Sequence, residues 1–449
     1  MTECDYVIVG AGSAGCVLAA RLSEDAGRTV LLAEAGGRDW NPLLHIPLGS
    51  GKLLRRGLHG WKYVTEPNPG LGGRRLPWTR GRVLGGSSAI NGMVYVRGHP
   101  SDYDGWAMRG NEGWSFRDVL PYFRRAEGHR DRSEPDWGTT GPLGIARAKS
   151  PNPLYEAFIR AGGDAGYPVS DDIGRGAEGF GRFDFNIVDG RRCSAARAYL
   201  APVRSRVNLA VRTGHQATRI LFEDRRAVGV EFATRGGRTT VRARREVIVC
   251  GGTANSPQLL MLSGVGEADH LRALGIPVVH ELTGVGKNLQ DHVDVPVRFA
   301  IREALSLHAL IRIDRIAVAM IEAVVRRTGP ATSFPTEAGA FLRSSPDAEV
   351  PDLQIHFSIS LGGGRVRVPP FDRLFFANPL EREGFQIRMC VLRPKSRGEI
   401  RLASADAFAK PLIVSNCLSD GSDLELLASR RRDRPRRGLE AEPRPPDRR

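Results

Sequence analysis

The stretch YVIVGAGSAG at residues 6–15 decides the fold of the N-terminal part of this chain. Its first four residues are apolar and predict a buried strand, which ends in a G-x-G-x-x-G turn. Residues 14–22 then have the composition of a helix, and residues 29–33 form a second apolar run that ends at Glu34. Strand, glycine turn, helix, strand and acid in this order predict a dinucleotide-binding α/β unit.

Each position of this unit has a physical role in holding a dinucleotide. Gly10 permits the tight turn, Gly12 lets the main chain approach a pyrophosphate, and Gly15 lets the helix pack closely on the strand. The amides at the helix N-terminus face the anion. Glu34 can accept both ribose hydroxyls, which disfavours NADP but leaves FAD and NAD open. The cofactor contacts predicted in this unit are Gly10, Gly12, Ser13, Ala14, Gly15, Glu34 and Ala35.

The composition argues against several other functions. The formal net charge of +15 raises nucleic acid as a partner, but the basic residues are nearly all Arg and are scattered, so we expect no nucleic-acid binding. The six cysteines form no C-x-x-C pair, and we expect neither a metal site nor a disulfide framework. The longest apolar stretch, 305–325, contains Arg312, Asp314 and Arg315, so we expect no transmembrane segment and a cytoplasmic protein.

Two longer stretches carry a family resemblance. Residues 81–104, GRVLGGSSAINGMVYVRGHPSDYD, resemble the first signature of the glucose–methanol–choline (GMC) flavoprotein oxidoreductases, and residues 252–266, GTANSPQLLMLSGVG, resemble the second. The segments 284–292 and 392–398 are also similar to family segments. The resemblance runs from about residue 5 to about residue 427 and implies FAD as the cofactor.

The resemblance implies an α/β fold in two domains. A Rossmann-like FAD-binding domain would occupy residues 1–298, with an excursion at 129–190. Residues 299–429 would form an α+β substrate domain and an incomplete C-terminal region, followed by an aberrant basic tail at 430–449. The residue pattern itself predicts a helix over 305–327 and an antiparallel sheet, whose strands are expected at 340–342, 353–360, 385–392 and 399–402.

The family signatures also imply contacts to the flavin. Residues 82–94 would cover the flavin and its pyrophosphate, and the main chain of Ala217 would meet the adenine. Some relatives attach FAD covalently through a His at the position of Ile90, which has no nucleophilic atom, so we expect FAD to be bound non-covalently. The cofactor contacts predicted from these segments are Arg82, Val83, Gly86, Ser87, Asn91, Gly92, Met93, Val94, Ala217 and Gly251.

Local patterns predict how three further segments are placed. Residues 210–212 and 217–222 alternate like the two arms of a hairpin, followed by a strand at 227–232. Residues 246–252 predict a strand that enters a glycine pair, and the resemblance to two-dinucleotide-domain flavoproteins implies that this strand returns to the first sheet beneath the cofactor. Ser256 and Pro257 suit the N-cap and first position of the helix that follows.

The catalytic segment of the family has no counterpart in this sequence. In the family, a His near the C-terminus accepts the alcohol proton, and imidazole suits this role because it titrates near neutral pH. The last His here is His356, so we expect no catalytic residue in the chain. From Arg430 the sequence becomes rich in Arg and Pro, which favours a shifted reading frame over a disordered tail. The other histidines interpreted as structural are His45, His59, His99 and His292.

By resemblance, the function is FAD-dependent oxidation of primary alcohols, and a dehydrogenase is favoured over an oxidase. The partners would be a small-molecule alcohol and an electron acceptor such as a quinone, a dye-like carrier or oxygen. Residues 299–415 contain no Trp or Tyr to form a cage around a cation, which favours an uncharged alcohol over choline. The alternatives are a non-catalytic flavin-binding fragment, a hydroxynitrile lyase on the same fold, and a nucleic-acid binder.

Overall fold

The computed structural model describes residues 2–133, 135–362, 366–368 and 382–432. The strands within these residues are β1 (Glu3–Val9), β2 (Val30–Glu34), β3 (Tyr63–Val64), β4 (Pro77–Trp78), β5 (Val94–Tyr95), β6 (Glu127–His129), β7 (Leu143–Arg147), β8 (Gly179–Arg182), β9 (Asp184–Phe185), β10 (Ile187–Val188), β11 (Arg191–Arg192), β12 (Leu209–Thr213), β13 (Gln216–Glu223), β14 (Arg226–Thr234), β15 (Gly237–Val249), β16 (Val265–Gly266), β17 (His280–Glu281), β18 (Asp294–Ala300), β19 (Ala338–Leu342), β20 (Leu353–Ser358), β21 (Gly384–Val391), β22 (Glu399–Arg401) and β23 (Leu412–Val414).

Helices connect and cover these strands. The α-helices are α1 (Ser13–Leu22), α2 (Ser50–Arg56), α3 (Pro100–Met108), α4 (Phe116–Ala126), α5 (Pro153–Asp164), α6 (Gly252–Leu262), α7 (Ala268–Ala273), α8 (Leu307–Leu310), α9 (Ile313–Val325) and α10 (Gly421–Arg432). From residue 433 onward, the predicted basic tail lies outside the described residues.

The first sheet confirms the predicted dinucleotide-binding unit. Its strand order is β12-β2-β1-β15-β14-β13, and β1 pairs in parallel with β2 and with β15. Tyr6 lies opposite Val30 on one side and Glu246 on the other, so the predicted return of the 246–252 strand to the first sheet is confirmed. Two apolar clusters cover the two faces of this sheet, one around Ile8 and Leu32 and one around Val7 and Leu31.

Two local predictions in this region are wrong. Residues 210–212 do not form a hairpin with 217–222, because β12 pairs in parallel with β2 at one edge of the sheet while β13 pairs with β14 at the other. Helix α6 begins at Gly252 and not at Ser256, and Pro257 lies inside it. The missing N–H of a proline removes one helical hydrogen bond, which the other bonds of the helix tolerate.

The second sheet has the strand order β18-β21-β20-β19-β8, and its neighbours are all antiparallel. The antiparallel sheet predicted for the C-terminal region is therefore confirmed, with one exception. Strand β22 pairs with β23 in a separate ladder, and Ile400 packs with Tyr63 and Trp78 of the N-terminal region. The place of β22 in the second sheet is taken by β8, which comes from within the predicted excursion.

The apolar stretch at 305–325 forms α8 and α9, close to the predicted helix. Helix α9 buries Ala319 and Ala323, and Ile321 and Val325 are exposed. Among the described residues, no helix is both long and apolar enough to cross a membrane.

Candidate functional site

A cavity of about 450 Å³ lies where β1, β2 and β15 end. Its wall contains Val9, Ala33 and Val249, one from each of these strands, so it occupies the position where parallel α/β sheets bind ligands. More than half of the residues predicted to contact the cofactor meet there. The predicted residues that line the cavity are Gly10, Gly12, Ser13, Ala14, Glu34, Ala35, Gly86, Ser87, Ala217 and Gly251.

Two helices direct their N-termini at this cavity. Helix α1 has Gly12 as its N-cap and helix α6 has Gly251, and neither cap residue bonds through a side chain. Neither first turn contains an acidic residue. Free amides and aligned peptide dipoles make such helix ends positive, so a pair of them forms a place for a doubly charged anion such as a pyrophosphate.

The glycines of the turn divide into those that pack and one that faces open space. A Cβ on Gly10 would lie 2.5 Å from the carbonyl oxygen of Cys250, and φ is +98° there. A Cβ on Gly15 would lie 2.0 Å from the carbonyl oxygen of Gly10. A Cβ on Gly12 would meet no atom within 4 Å, although Gly12 lines the cavity. This opening allows a ligand to approach the main chain at Gly12.

Glu34 is buried at the cavity wall and is held by two backbone amides. One carboxylate oxygen accepts from Ala11 N at 2.9 Å and the other from Gly36 N at 2.8 Å. Burial raises the pKa of Glu34, and the two amides oppose that effect. Since a carboxylate has about four acceptor positions, capacity for ribose hydroxyls is left after these two bonds.

Arg82 links the segment at residues 81–104 to Gln216, which lines the cavity. Its Nη2 donates to Oε1 of Gln216 at 2.9 Å, and its guanidinium stacks on Trp61 at 4.6 Å. Its Nε is buried and has no hydrogen-bond partner among the described residues. The open face of Gly12 and the two helix ends fit a bound FAD.

The remaining predicted contacts lie beside the cavity and do not line it. Val83 is buried against α2 and packs with Leu53 and Ile90. Asn91 Oδ1 accepts from Met93 N at 3.1 Å, and Met93 is buried with φ of +63°. The predicted residues outside the cavity wall are Gly15, Arg82, Val83, Asn91, Gly92, Met93 and Val94.

Several residues of the cavity wall were not predicted from the sequence. Tyr63 donates to Asn255 and stacks on Trp61, with ring centroids 5.8 Å apart. Gln216 and Gln258 also line the cavity. Their Nε2 atoms donate to the carbonyl oxygens of Ala407 and Ala409 at 3.1 Å and 2.8 Å. These partners lie more than 100 residues apart in the chain, so no local pattern indicates them. The unpredicted residues of the wall include Trp61, Tyr63, Arg80, His215, Gln216, Thr253, Asn255, Gln258 and Ala407.

Four histidines bond to residues outside the cavity, whereas a fifth, His215, lines it. His99 caps α3 through its side chain, in a capping box with Asp102. His292 Nε2 lies 3.2 Å from the carbonyl oxygen of Leu392. His45 and His59 contact the Asp39 carbonyl and the Asn41 amide. Among the described residues, no cluster of His, Cys, Asp and Glu has the geometry of a metal site.

We expect His356 to make the protein sensitive to acid. Burial, followed by the charge of Arg388, lowers the pKa of His356 to about 4. Below pH 6.5 the unfolded chain takes up a proton there that the folded chain does not, so stability falls as the pH drops from about 6.5 to 4, by roughly 1.4 kcal/mol per unit. Urea midpoints at pH 7 and pH 5 should differ less in H356Q than in the unsubstituted chain. The control H280Q, at an exposed histidine of β17, should keep the full difference, and an equal difference in all three proteins would contradict this expectation.

Comparison with known proteins places the chain in a family. Residues 4–294 match the model of the GMC oxidoreductases. The chain is 43% identical to the mitochondrial choline dehydrogenase of Homo sapiens over 435 residues, which cover 94% of this chain and 71% of that protein. It is 42% identical to the oxygen-dependent choline dehydrogenase of Brucella ovis over 422 residues, which cover 94% of this chain and 75% of that protein.

Solved structures give the same result. A crystal structure of pyridoxine 4-oxidase from Mesorbium loti superposes with a TM-score of 0.82 at 32% identity, over 98% of this chain and 84% of that one. A formate oxidase from Aspergillus oryzae RIB40, studied for FAD modification, superposes with a TM-score of 0.86 at 26% identity, over 95% of this chain and 79% of that one. With its two signatures, its dinucleotide-binding sheet and these matches, the chain belongs to the GMC oxidoreductase family of FAD-dependent enzymes.

Proposed function

We propose that the chain binds FAD non-covalently in the cavity between α1 and α6 and acts on primary alcohols as a dehydrogenase. The observation that carries this proposal is the pair of uncapped helix N-termini that converge on one cavity. Such a pair suits the pyrophosphate of a dinucleotide. The buried carboxylate of Glu34 suits the adenosine ribose, and the main chain of Ala217 suits the adenine.

Bound FAD supplies an acceptor for the hydride that leaves the alcohol carbon. The chain's own residues hold and orient it. The amides of Gly12, Ser13 and Ala14 would bind the pyrophosphate, and residues 82–94 would cover the flavin and its pyrophosphate. Ile90 is buried and offers no atom for a covalent bond to the flavin, which supports reversible binding.

The proposed reaction also needs a base that accepts the proton of the alcohol. The last His of the sequence is His356, which lies on β20 of the second sheet with its pKa lowered to about 4. Of the other histidines described above, His45 and His292 bond to main-chain carbonyl oxygens, His59 bonds to the side chain of Asn41, and His99 caps a helix. We propose that residues 1–449 by themselves oxidise alcohols slowly, since a positioned base contributes about 10²–10⁴ in rate.

An uncharged alcohol is the proposed substrate, although two of the relatives are named choline dehydrogenases. Residues 299–415 contain no Trp or Tyr to enclose a quaternary ammonium. The buried acid of the second sheet, Glu337, already accepts from Arg182 at 3.0 Å and from Ser150 N at 2.9 Å. The electron acceptor is proposed to be a quinone, a dye-like carrier or oxygen. A cytoplasmic location stays a prediction.

One experiment tests cofactor binding and the mode of attachment. The purified full chain, incubated with FAD and passed over a desalting column, should retain a flavin absorption spectrum. Acid precipitation should release all the yellow colour into the supernatant, because no covalent bond holds it. A pellet that keeps its colour would contradict non-covalent binding, and a colourless protein before acid treatment would contradict FAD binding itself.

A second experiment tests the reaction. Under anaerobic conditions, addition of a primary alcohol such as 1-butanol should bleach the bound flavin slowly, and choline at the same concentration should bleach it more slowly still. Faster bleaching by choline would contradict the proposed substrate. Flavin binding with no bleaching by any alcohol would favour the second candidate, a non-catalytic flavin-binding protein.

A further inference from the structure

Arg192 is a buried cation without a counterion among the residues that the structure describes. Its side chain lies in the interior, and the residue is only 1% exposed. Its Nε donates to the carbonyl oxygen of Leu44 at 3.0 Å, and its Nη2 also donates to Oγ of Ser50. Its Nη1 donates to the carbonyl oxygen of Ser88 at 3.1 Å. Each of these acceptors is neutral, so the hydrogen bonds satisfy the guanidinium but do not neutralise its charge.

The other deeply buried arginines show that this is unusual within the protein. Arg97 is paired with Glu127, and Arg182 is paired with Glu337 at 3.0 Å. Within the ranges that the structure describes, Arg192 forms no salt bridge. Burial lowers the pKa of Arg192 to about 9, so the side chain still carries its charge at neutral pH. An unpaired buried charge is expensive, and proteins pair such charges or use them.

The position of this charge indicates its use. Arg192 donates two hydrogen bonds to Asn91, from Nη1 to Oδ1 at 2.7 Å and from Nη2 to the main-chain carbonyl oxygen at 2.7 Å. Asn91 Oδ1 also accepts from Met93 N. Ser88 and Asn91 belong to the signature segment proposed to cover the flavin, so the guanidinium lies directly behind that segment.

We propose that Arg192 is a positioning residue for the flavin, which fixes the Ser88–Asn91 loop and raises the reduction potential of the bound flavin through its unpaired charge. This inference rests on the proposed binding of FAD. Two-electron reduction adds negative charge to the isoalloxazine ring, and a fixed cation in a medium of low dielectric constant favours the reduced form. The negative charge of the reduced cofactor then partly takes the place of a counterion for Arg192.

The test separates the charge of Arg192 from its hydrogen bonds. S50D places a carboxylate beside Nη2 and neutralises the charge while Arg192 stays in place. R192M removes the charge and the bonds, and R192K keeps a charge but loses the planar fork. The matched control is R242M, which removes an exposed arginine that is paired with Glu223. For each full-length protein loaded with FAD, the midpoint potential and the FAD dissociation constant are measured.

We expect S50D and R192M to shift the ratio of reduced to oxidised flavin at least tenfold toward the oxidised form, which is about 30 mV for a two-electron couple. R192K should hold a potential close to that of the unsubstituted protein but bind FAD about tenfold more weakly, and R242M should change neither quantity. An unchanged potential in S50D with FAD bound would overturn the inference even if R192M fails to fold. Failure of the unsubstituted chain to bind FAD would overturn the proposed function, and this inference with it.

Discussion

Replacing Gly12 by Asp is expected to weaken FAD binding by about 100-fold or more while leaving the fold intact. Gly12 is the N-cap of α1, and its φ and ψ of −77° and −161° are those that Asp favours at this position. A Cβ there meets nothing within 4 Å. The aspartate would therefore cap the helix and raise the stability of the cofactor-free protein by a few tenths of a kcal/mol.

The same carboxylate would occupy the place proposed for the pyrophosphate. Two like charges about 4 Å apart repel by roughly 4 kcal/mol at an effective dielectric constant of 20, which exceeds the 2.7 kcal/mol of a 100-fold loss. Fluorescence titration with FAD measures the binding constant, and thermal unfolding without FAD measures the fold. Weaker FAD binding together with higher stability of the cofactor-free protein would identify a binding-site effect, whereas general damage would lower both.

The matched control is Gly284. Gly284 also has open space around its Cβ direction, but it does not line the cavity. G284D should bind FAD like the unsubstituted chain. If G12D and G284D bind FAD equally well, the pyrophosphate does not lie at the N-terminus of α1, and the proposed placement of the cofactor is wrong.

Removal of the charge of Glu127 is expected to destabilise the protein by about 3–5 kcal/mol. Glu127 and Arg97 are 0% and 2% exposed at their side chains. Arg97 Nε donates to Oε1 of Glu127 at 2.7 Å, Tyr95 donates to the same oxygen at 2.7 Å, and Gly138 N donates to Oε2 at 3.0 Å. Burial works against ionisation, yet these bonds hold the pKa of Glu127 below its usual range. In E127Q the guanidinium of Arg97 would stay buried without a counterion.

Urea unfolding followed by tryptophan fluorescence measures this effect, and Trp137, whose ring lies 4.3 Å from the Arg97 guanidinium, reports from the site itself. E223Q is the control, because the pair of Glu223 with Arg242 is exposed to solvent and contributes little to stability. The double variant with R97M and E127L should recover much of the loss, since apolar pairs often replace buried ion pairs at little cost. A loss below about 1 kcal/mol in E127Q would show that the buried pair is not needed for stability.

The local elements of the N-terminal unit were predictable because their signals are local. A β-branched run, three spaced glycines and an acid set the strand, the turn and the ribose contact within about 30 residues. The pairing of β12 with β2 was not predictable, because alternation in 210–212 indicates a strand but not its neighbour. The start of α6 was misplaced for a related reason: Ser256 and Pro257 form a good N-terminal pattern, but tertiary contacts extend the helix to Gly252.

The site was predictable where the family signatures run through it and unpredictable where it depends on assembly. Gly12, Glu34 and Gly251 line the cavity as expected. Ala407 reaches the cavity from the C-terminal region through Gln216, a contact that spans 191 positions of the chain. Arg192 gathers its acceptors from separate segments around positions 44, 50 and 88–91. No pattern within one segment can indicate such a convergence.

Because β1 pairs with the distant strand β15, one edge of β1 stays exposed while the chain is being synthesised. Tyr6 pairs with Glu246 on that side, so this edge of β1 stays unpaired until residue 246 has been synthesised. At the usual 5–20 residues per second, the edge of β1 emerges from the ribosome roughly 10 to 50 seconds before its partner strand exists. During that interval an apolar strand with unpaired N–H and C=O groups is open to pairing with other nascent chains. The yield of folded protein should therefore rise when translation is accelerated between β2 and β15 or when a chaperone shields that edge.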